Sequence, residues 1–314
     1  MQPLFYSEHG SPDVLTLGHQ PDPILRPAEV LIRVSATALN RLDIVQRNGW
    51  FTLPGFSLPH IAGMDLAGTV VGVGSNVSEI HVGDRVVADP SMHAIAGDSQ
   101  YTGFGERYGE LGVIGATHAG GYGELCAISA DHVHLLPDTM DFATAAVFPT
   151  AWMTTHHALF RIGDLRPGET LLMHGATSAL TLAATQLAIA AGARVLVTAA
   201  SEEKCAVAQK LGAAATTTNR EANITDWVMT QTDGQGVDMV LDHVGPALWE
   251  ASLFALAPRG RLVTCGNTTG DNVSIPSLGF LFQRGVQILG SDAYFSTDFA
   301  AVWQQYCNGT QRGH

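Results

Sequence analysis

The chain has 314 residues, 46% of them hydrophobic and only 14% charged, with 34 glycines and a formal net charge of −13. That composition describes a compact, turn-rich globular protein of two domains on the usual scale of about 100–200 residues each, and it excludes a disordered chain. The acidic balance excludes nucleic acid and an anionic membrane surface as partners, though not an anionic cofactor, which helix termini and a few local cations can hold.

No apolar run is long enough to span a bilayer, and the N-terminal MQPLFYSEHG lacks the basic and apolar regions of a signal peptide, so a cytoplasmic location is expected. Cys126, Cys205, Cys265 and Cys307 are scattered with no C-x-x-C spacing, which fits a reducing compartment and excludes a cysteine-based zinc module. Asn-x-Ser/Thr triplets such as Asn76-Val77-Ser78 then read as turns.

Residues 1–135 read as mostly β. Strands are expected over 29–34, 69–74 and 84–88, separated by glycine turns, and again over 121–128, a pattern that suggests a partly open barrel. Residues 89–121 break the rhythm and read as a long surface excursion. From Asp141 the periodicity becomes helical, through Phe142, Ala145 and Ala146 and then from Trp152 to Phe160.

The stretch from Glu169 to Ser201 carries the strongest local signal. Thr170-Leu171-Leu172-Met173 is a strand buried on both faces, His174 to Ala179 a small-residue turn, Leu180 to Ala190 a helix ended by Gly192, and Arg194 to Thr198 a second buried strand. Strand, turn, helix and strand make the βαβ unit of a dinucleotide-binding sheet, whose turn sets helix N-terminal N–H groups against a phosphate. The usual G-x-G-x-x-G is eroded, since Gly175 stands without companions and Ser178, Ala179 and Thr181 occupy places where glycines are expected. By itself the turn fits either a bound pyrophosphate or a sheet helix with no ligand. Helices over 202–211, 224–232 and 247–256 then alternate with buried strands over 237–242, 260–266 and 286–290, giving a doubly wound parallel sheet.

The ordered set of motifs resembles the medium-chain dehydrogenase/reductase superfamily, in its zinc-independent, quinone-oxidoreductase-like branch. It consists of Gly63-Met64-Asp65-Leu66-Ala67-Gly68-Thr69-Val70, Val82-Gly83-Asp84-Arg85-Val86, Leu165 to Ala176, Gly236 to Asp242 and Leu256 to Val263, and it covers nearly the whole chain. The resemblance implies a GroES-like β-barrel domain over residues 1–135, carrying substrate and catalysis, and a Rossmann-type, NADP-binding α/β domain over 136–314. It also implies a homodimer. Members usually return from the cofactor sheet to complete the β domain with a longer tail than the one after Gln311, so that return is expected to be incomplete.

The departures bear on chemistry. Where zinc-dependent members carry a Gly-His-Glu turn, this chain has Gly63-Met64-Asp65. Asn40 or a neighbour matches their first, cysteine ligand, and Phe148-Pro149-Thr150 their third ligand region. An amide, a thioether and a hydroxyl do not replace thiolate and imidazole around Zn²⁺. The excursion at 89–118 has the length of the structural-zinc lobe and no cysteine, so neither metal is expected. The zinc-free branch often carries tyrosines where Val45 and Phe51 stand here, so those positions supply no phenolic proton donor.

The resemblance places the dinucleotide on Gly175, Ala176, Thr177, Ser178, Ala179 and Leu180. The second strand ends in Thr198-Ala199-Ala200-Ser201 without the acid that would bind an NAD ribose diol. Ser201 and Lys204, with Asn219 and Arg220 nearby, are therefore candidates for an NADP 2′-phosphate, while Glu202 and Glu203 argue for NAD. Asn267 follows a cofactor strand at the expected nicotinamide end. Without a Lewis acid, reduction of a quinone or a conjugated enone is favoured over alcohol oxidation, because hydride addition gives a delocalised anion that hydrogen-bond donors can stabilise. Asn40 and Thr154 are the candidate donors and His60 the candidate acid, each of which could equally be a structural residue. The expected activity is NADPH-dependent reduction of a small quinone or α,β-unsaturated carbonyl. The alternatives are a nucleotide-binding protein without catalysis and a zinc-type alcohol dehydrogenase homologue that has lost its metal.

Overall fold

The structure is a computed structural model that describes residues 1–53, 55–90, 113–219, 223–292 and 294–307. Arg220, most of the 89–118 excursion and the last residues, 311–314, lie outside the described residues.

The chain forms β1 (Leu4–Phe5), β2 (Thr16–Leu17), β3 (Glu29–Ala38), α1 (Arg41–Arg47), β4 (Asp65–Val73), β5 (Arg85–Ala88), β6 (Leu125–Ser129) and β7 (Val133–Leu135). Then come α2 (Phe142–Ala146), α3 (Pro149–His156), β8 (Thr170–His174), α4 (Ala179–Ala190), β9 (Arg194–Ala199), α5 (Glu202–Lys210), β10 (Ala215–Thr218) and α6 (Ile224–Gln231). The last elements are β11 (Val237–Asp242), α7 (Trp249–Phe254), β12 (Leu256–Thr264), α8 (Leu278–Arg284), β13 (Gln287–Gly290) and α9 (Ser296–Cys307). Contacts divide the chain into two compact units, Met1–Thr150 with Tyr294–Cys307, and Ala151–Ala293.

The first unit is built on a five-stranded antiparallel sheet in the order β6-β3-β4-β5-β7. Alternate residues of β3 and β6 point inward, so that Val30, Ile32, Cys126 and Ile128 meet Leu66, Val70, Val86 and Val133 in one core. Irregular register between Leu31 and Ile32 and between Val34 and Ala36 bends the long β3–β4 pair, as closing a small barrel requires. The chain re-enters this unit at Tyr294. Helix α9 buries Phe299, Val302 and Tyr306 on one face, at helical spacing. The Phe299 ring stacks on His134 with centroids 4.0 Å apart, and the Tyr306 hydroxyl donates to the Thr144 carbonyl at 3.0 Å.

The second unit is a six-stranded, wholly parallel sheet in the order β10-β9-β8-β11-β12-β13. From β8 the chain runs outward through β9 to β10 and then crosses back to run from β11 through β12 to β13, so the order reverses between β8 and β11. That is where doubly wound sheets bind ligands, outside the carboxyl ends of the strands. The strands are apolar on both faces because helices cover both, and Leu172, Leu196, Val240 and Leu262 are fully buried. Helix α4 packs through Thr181, Ala183, Ala184, Thr185, Leu187 and Ala188. Small residues dominate this face, which lets the helix lie close to the sheet. Among the described residues no helix is long and apolar enough to cross a membrane.

Candidate functional site

In the sheet unit, β8 stops at His174 and the chain turns at Gly175, whose φ of +72° is strained for any residue with a side chain. A Cβ there would sit 3.6 Å from His243 Nε2, at the end of β11, so the turn lies at the switch between the two central strands. Ser178 caps α4 by accepting the Thr181 N–H at 3.2 Å, and the Thr181 hydroxyl donates back to the His174 carbonyl at 2.8 Å. The first-turn donors, Ala179 and Leu180, have no intrahelical acceptor. They point with the helix dipole at the mouth of the turn, and this arrangement fits a pyrophosphate. Gly175 alone has the positive φ, so Ala176 and Ser178 do not need to be glycine.

Beneath the turn, the His174 ring bridges Thr198 Oγ1 at 2.8 Å and Ser252 Oγ at 2.9 Å. Burial, with His243 adding to it, drives the His174 pKa down to about 3, so the ring is a neutral structural bridge.

The residues after β9 have the expected neutral end. Ser201 caps α5 by accepting the Lys204 N–H at 3.5 Å, with the Lys204 side chain exposed beside exposed Glu202 and Glu203. Asn219 donates its N–H to the Ala199 carbonyl at 2.8 Å, which brings it next to the end of β9. Asn267 is exposed and donates through its amide to the Asp271 carboxylate. Thr154 is half-buried in α3.

The barrel unit holds a polar node. Asn40 caps α1, and its amide Nδ2 donates to Asp65 Oδ2 at 3.0 Å. Asp65 Oδ1 accepts the Thr150 N–H at 3.1 Å and the Thr150 hydroxyl at 2.7 Å. The Tyr294 hydroxyl lies 3.3 Å from Thr150 Oγ1. Asp65 is 1% exposed, and burial pushes its carboxyl up to about 6 despite the three donors, with the nearby Asp43 carboxylate adding to the rise. Asp43 braces the node by accepting the Asn40 N–H at 2.8 Å, the Tyr122 hydroxyl at 2.8 Å and the Gly63 N–H at 3.2 Å. Gly63 has a φ of +102°, and a Cβ there would come within 2.6 Å of the Tyr122 ring.

Sequence reasoning picked out Asn40 but gave Asp65 and Thr150 only as positions without metal ligands, and it did not single out Tyr122 or Tyr294. No periodicity signals Tyr294, which is 144 positions from Thr150.

His60 is in the same unit but makes its own contacts. Its ring is 4% exposed, and Nε2 lies 2.9 Å from the Gly115 carbonyl and 3.0 Å from Gln46 Nε2. Tyr6 and Phe56 pack against it, and burial lowers its pKa, so the ring is held neutral. It borders a groove of about 240 Å³ shared with Phe5, Gln20, Ser57 and Pro59.

The donor set does not fit zinc. Asn40 and Thr150 present N–H and O–H groups to Asp65, Met64 offers a thioether, and no thiol or imidazole joins them. Among the described residues, no group of three or more His, Cys, Asp or Glu is placed to hold a metal ion.

The two units together define the class of dehydrogenases that join a GroES-like β domain to a dinucleotide-binding sheet. Residues 26–138 match the family model described as the alcohol dehydrogenase GroES-like domain, and residues 179–307 the model described as zinc-binding dehydrogenase. A quinone oxidoreductase from Pseudomonas aeruginosa is 34% identical over 280 residues, covering 89% of this chain and 77% of its own. The crystal structure of an NAD-dependent alcohol dehydrogenase superimposes with a TM-score of 0.91 at 28% identity, over 100% of this chain and 91% of the other. The Escherichia coli quinone oxidoreductase complexed with NADPH does so with 0.81 at 26% identity, over 99% and 89%. The chain belongs to the medium-chain dehydrogenase/reductase superfamily, in its quinone-oxidoreductase-like branch.

Proposed function

We propose that the protein is an NADPH-dependent, zinc-independent oxidoreductase that reduces quinones or α,β-unsaturated carbonyls. Membership of the superfamily supports an oxidoreductase that uses a nicotinamide dinucleotide. The single observation that carries the finer reading is the node at Asp65, where residues matching the metal-ligand positions of zinc-dependent relatives hydrogen-bond to a buried carboxyl instead.

Gly175 and the N–H groups of Ala179 and Leu180 hold the pyrophosphate, with Ala176, Thr177 and Ser178 shaping the turn. Ser201, Lys204, Asn219 and Arg220 receive the 2′-phosphate, and Asn267 borders the nicotinamide end. The bound dinucleotide supplies the hydride. Asn40 keeps one Nδ2 proton on Asp65 and has a second to donate to the substrate oxygen as negative charge develops there. Thr154 is a further donor, and His60, a neutral buried ring, takes part as an acid only by giving up its bond to Gly115.

In this proposal the barrel unit, Met1–Thr150 with Tyr294–Cys307, carries the substrate side and the sheet unit the cofactor side. The protein is cytoplasmic and works as a homodimer. The edge strand β13, with Leu278 and Phe282 of α8 exposed at 69% and 74%, offers a surface for a second copy, which sedimentation tests.

The deciding experiment follows NADPH oxidation with benzoquinone and with a simple enone, beside direct titration with NADPH and NADH. Turnover with either acceptor supports the reading. Binding without turnover favours a non-catalytic nucleotide-binding protein, and no binding removes the reading altogether.

A further inference from the structure

Hydride addition to an enone leaves an enolate that must gain a proton, and neither Val45 nor Phe51 can give one. The Asp65–Thr150–Tyr294 chain contains three oxygens in hydrogen-bond sequence, from a buried carboxyl to the hydroxyl of half-buried Tyr294. Its direction depends on one proton. With Asp65 ionised, the Thr150 hydroxyl donates to the carboxylate and the Tyr294 hydroxyl donates inward to Thr150. With Asp65 protonated, the carboxyl donates to Thr150, Thr150 donates to Tyr294, and the Tyr294 O–H is released to an acceptor beyond the chain.

We propose that Tyr294 is the proton donor to the reduced substrate, refilled from Asp65 through the hydroxyl of Thr150. The inference rests on the reductase reading above. In the step, the hydride from the reduced nicotinamide dinucleotide forms a C–H bond at the β-carbon, and the π electrons of the enone shift to its oxygen. The oxidised dinucleotide remains. The Tyr294 O–H then breaks as its proton passes to the α-carbon, or to the oxygen of a reduced quinone. The phenol oxygen takes the Thr150 proton, and Thr150 takes the proton of Asp65. The carboxylate left behind keeps its bonds from Asn40 and Thr150 and regains a proton from solvent between turnovers.

The surroundings favour this concerted refilling. Burial raises the Tyr294 pKa, and the carboxyl groups of Asp65, Asp89 and Asp43 raise it further, so a free phenolate does not accumulate. A carboxyl raised to about 6 holds its proton below that pH and exchanges it near neutrality, close to the range in which a general acid works best. Among the described residues, the groups facing Asp65 are Asn40 and Asp43 from the start of α1, Tyr122 before β6, Thr150 from α3 and Tyr294 from the segment before α9. None is a cation that would hold the carboxyl ionised.

The test compares wild type with Tyr294→Phe, Thr150→Val and Thr150→Ser, reducing an α-methyl-substituted cyclic enone in D₂O. Wild type should place deuterium on one face of the α-carbon, read by NMR of the product. Tyr294→Phe and Thr150→Val should lower kcat about 100-fold, the scale of a lost general acid, and scramble the α-carbon face. KM and NADPH affinity, the latter read by fluorescence titration, should hold within about twofold, and Thr150→Ser should retain both rate and face. A Tyr294→Phe enzyme with wild-type rate and facial selectivity overturns the relay and leaves the reductase intact. A wild type that oxidises NADPH with neither enone nor quinone overturns the reductase reading and the relay with it.

Discussion

The Asn40 amide donates to the Asp65 carboxyl across 3.0 Å, joining the start of α1 to the first residue of β4. This bond fixes the amide plane and leaves the second Nδ2 proton with a set direction. Asn40→Ala should therefore lower turnover by about 100-fold, the usual cost of removing one preorganised donor to a developing oxyanion. Dinucleotide affinity should stay within about twofold, because the phosphate turn belongs to the other unit. Steady-state kinetics beside fluorescence titration reads both, and unchanged turnover would remove Asn40 from the chemistry.

Asp65 should also leave a signature in stability against pH. Its unfolded pKa is about 3.9 and its folded value about 6. Between those values the folded protein keeps a proton that the unfolded chain has lost. Stability attached to this group is fully present below the unfolded pKa and is lost as pH rises through the folded one. The loss is on the order of 3 kcal/mol for a shift of about two units. Urea unfolding of wild type and Asp65→Asn across this window should show the wild type losing ground to the variant as pH rises. A constant difference would mean the carboxyl titrates as if exposed.

The sheet unit was largely legible in the sequence, and the polar node was not. Strands covered on both faces print as apolar runs, so Thr170–Met173, Arg194–Thr198 and Val237–Asp242 stand out, and Gly192 marks its helix end with a φ of +83°. The edge strand Ala215–Thr218 carries three threonines and only one fully buried residue, so it gives no such run. Helix α1 is seven residues long and follows β3 directly, too short for a periodic signal. The node depends on residues brought together by tertiary packing, such as Asp65 and Thr150, 85 positions apart. Each has an ordinary residue identity and only the fold gives it a partner.

Gly175 tests the phosphate turn. Ala at this position would keep ordinary contacts, 3.6 Å to His243 Nε2 and 4.0 Å to Ser178 Cβ, so steric crowding is not the main cost. The positive φ is, at about 1–2 kcal/mol for an L-residue. Gly175→Ala should destabilise the protein by that amount or flatten the turn. A flattened turn misaligns the Ala179 and Leu180 N–H groups and weakens dinucleotide binding by about tenfold. Thermal unfolding and titration separate the two, and an unaltered midpoint with unaltered affinity would show that the turn does not bind phosphate.

The cofactor preference turns on Lys204, an exposed cation on the first turn of α5, next to Glu202 and Glu203. An NADP 2′-phosphate brings about 1.5 to 2 negative charges to the end of β9. Two glutamates repel it and one lysine and the Ser201 hydroxyl attract it. Lys204 wins only if its ammonium reaches the phosphate directly, since an exposed pair held at longer range contributes under about 1 kcal/mol. Lys204→Ala should then weaken NADPH binding about threefold to tenfold and leave NADH unchanged. Because the contact is solvent-exposed, the NADPH advantage should also shrink with added salt as the screening length drops from about 10 Å at 0.1 M to about 3 Å at 1 M. Paired titrations at low and high salt read this directly. If NADH binds wild type more tightly than NADPH, the two glutamates outweigh the lysine and the protein is an NADH enzyme.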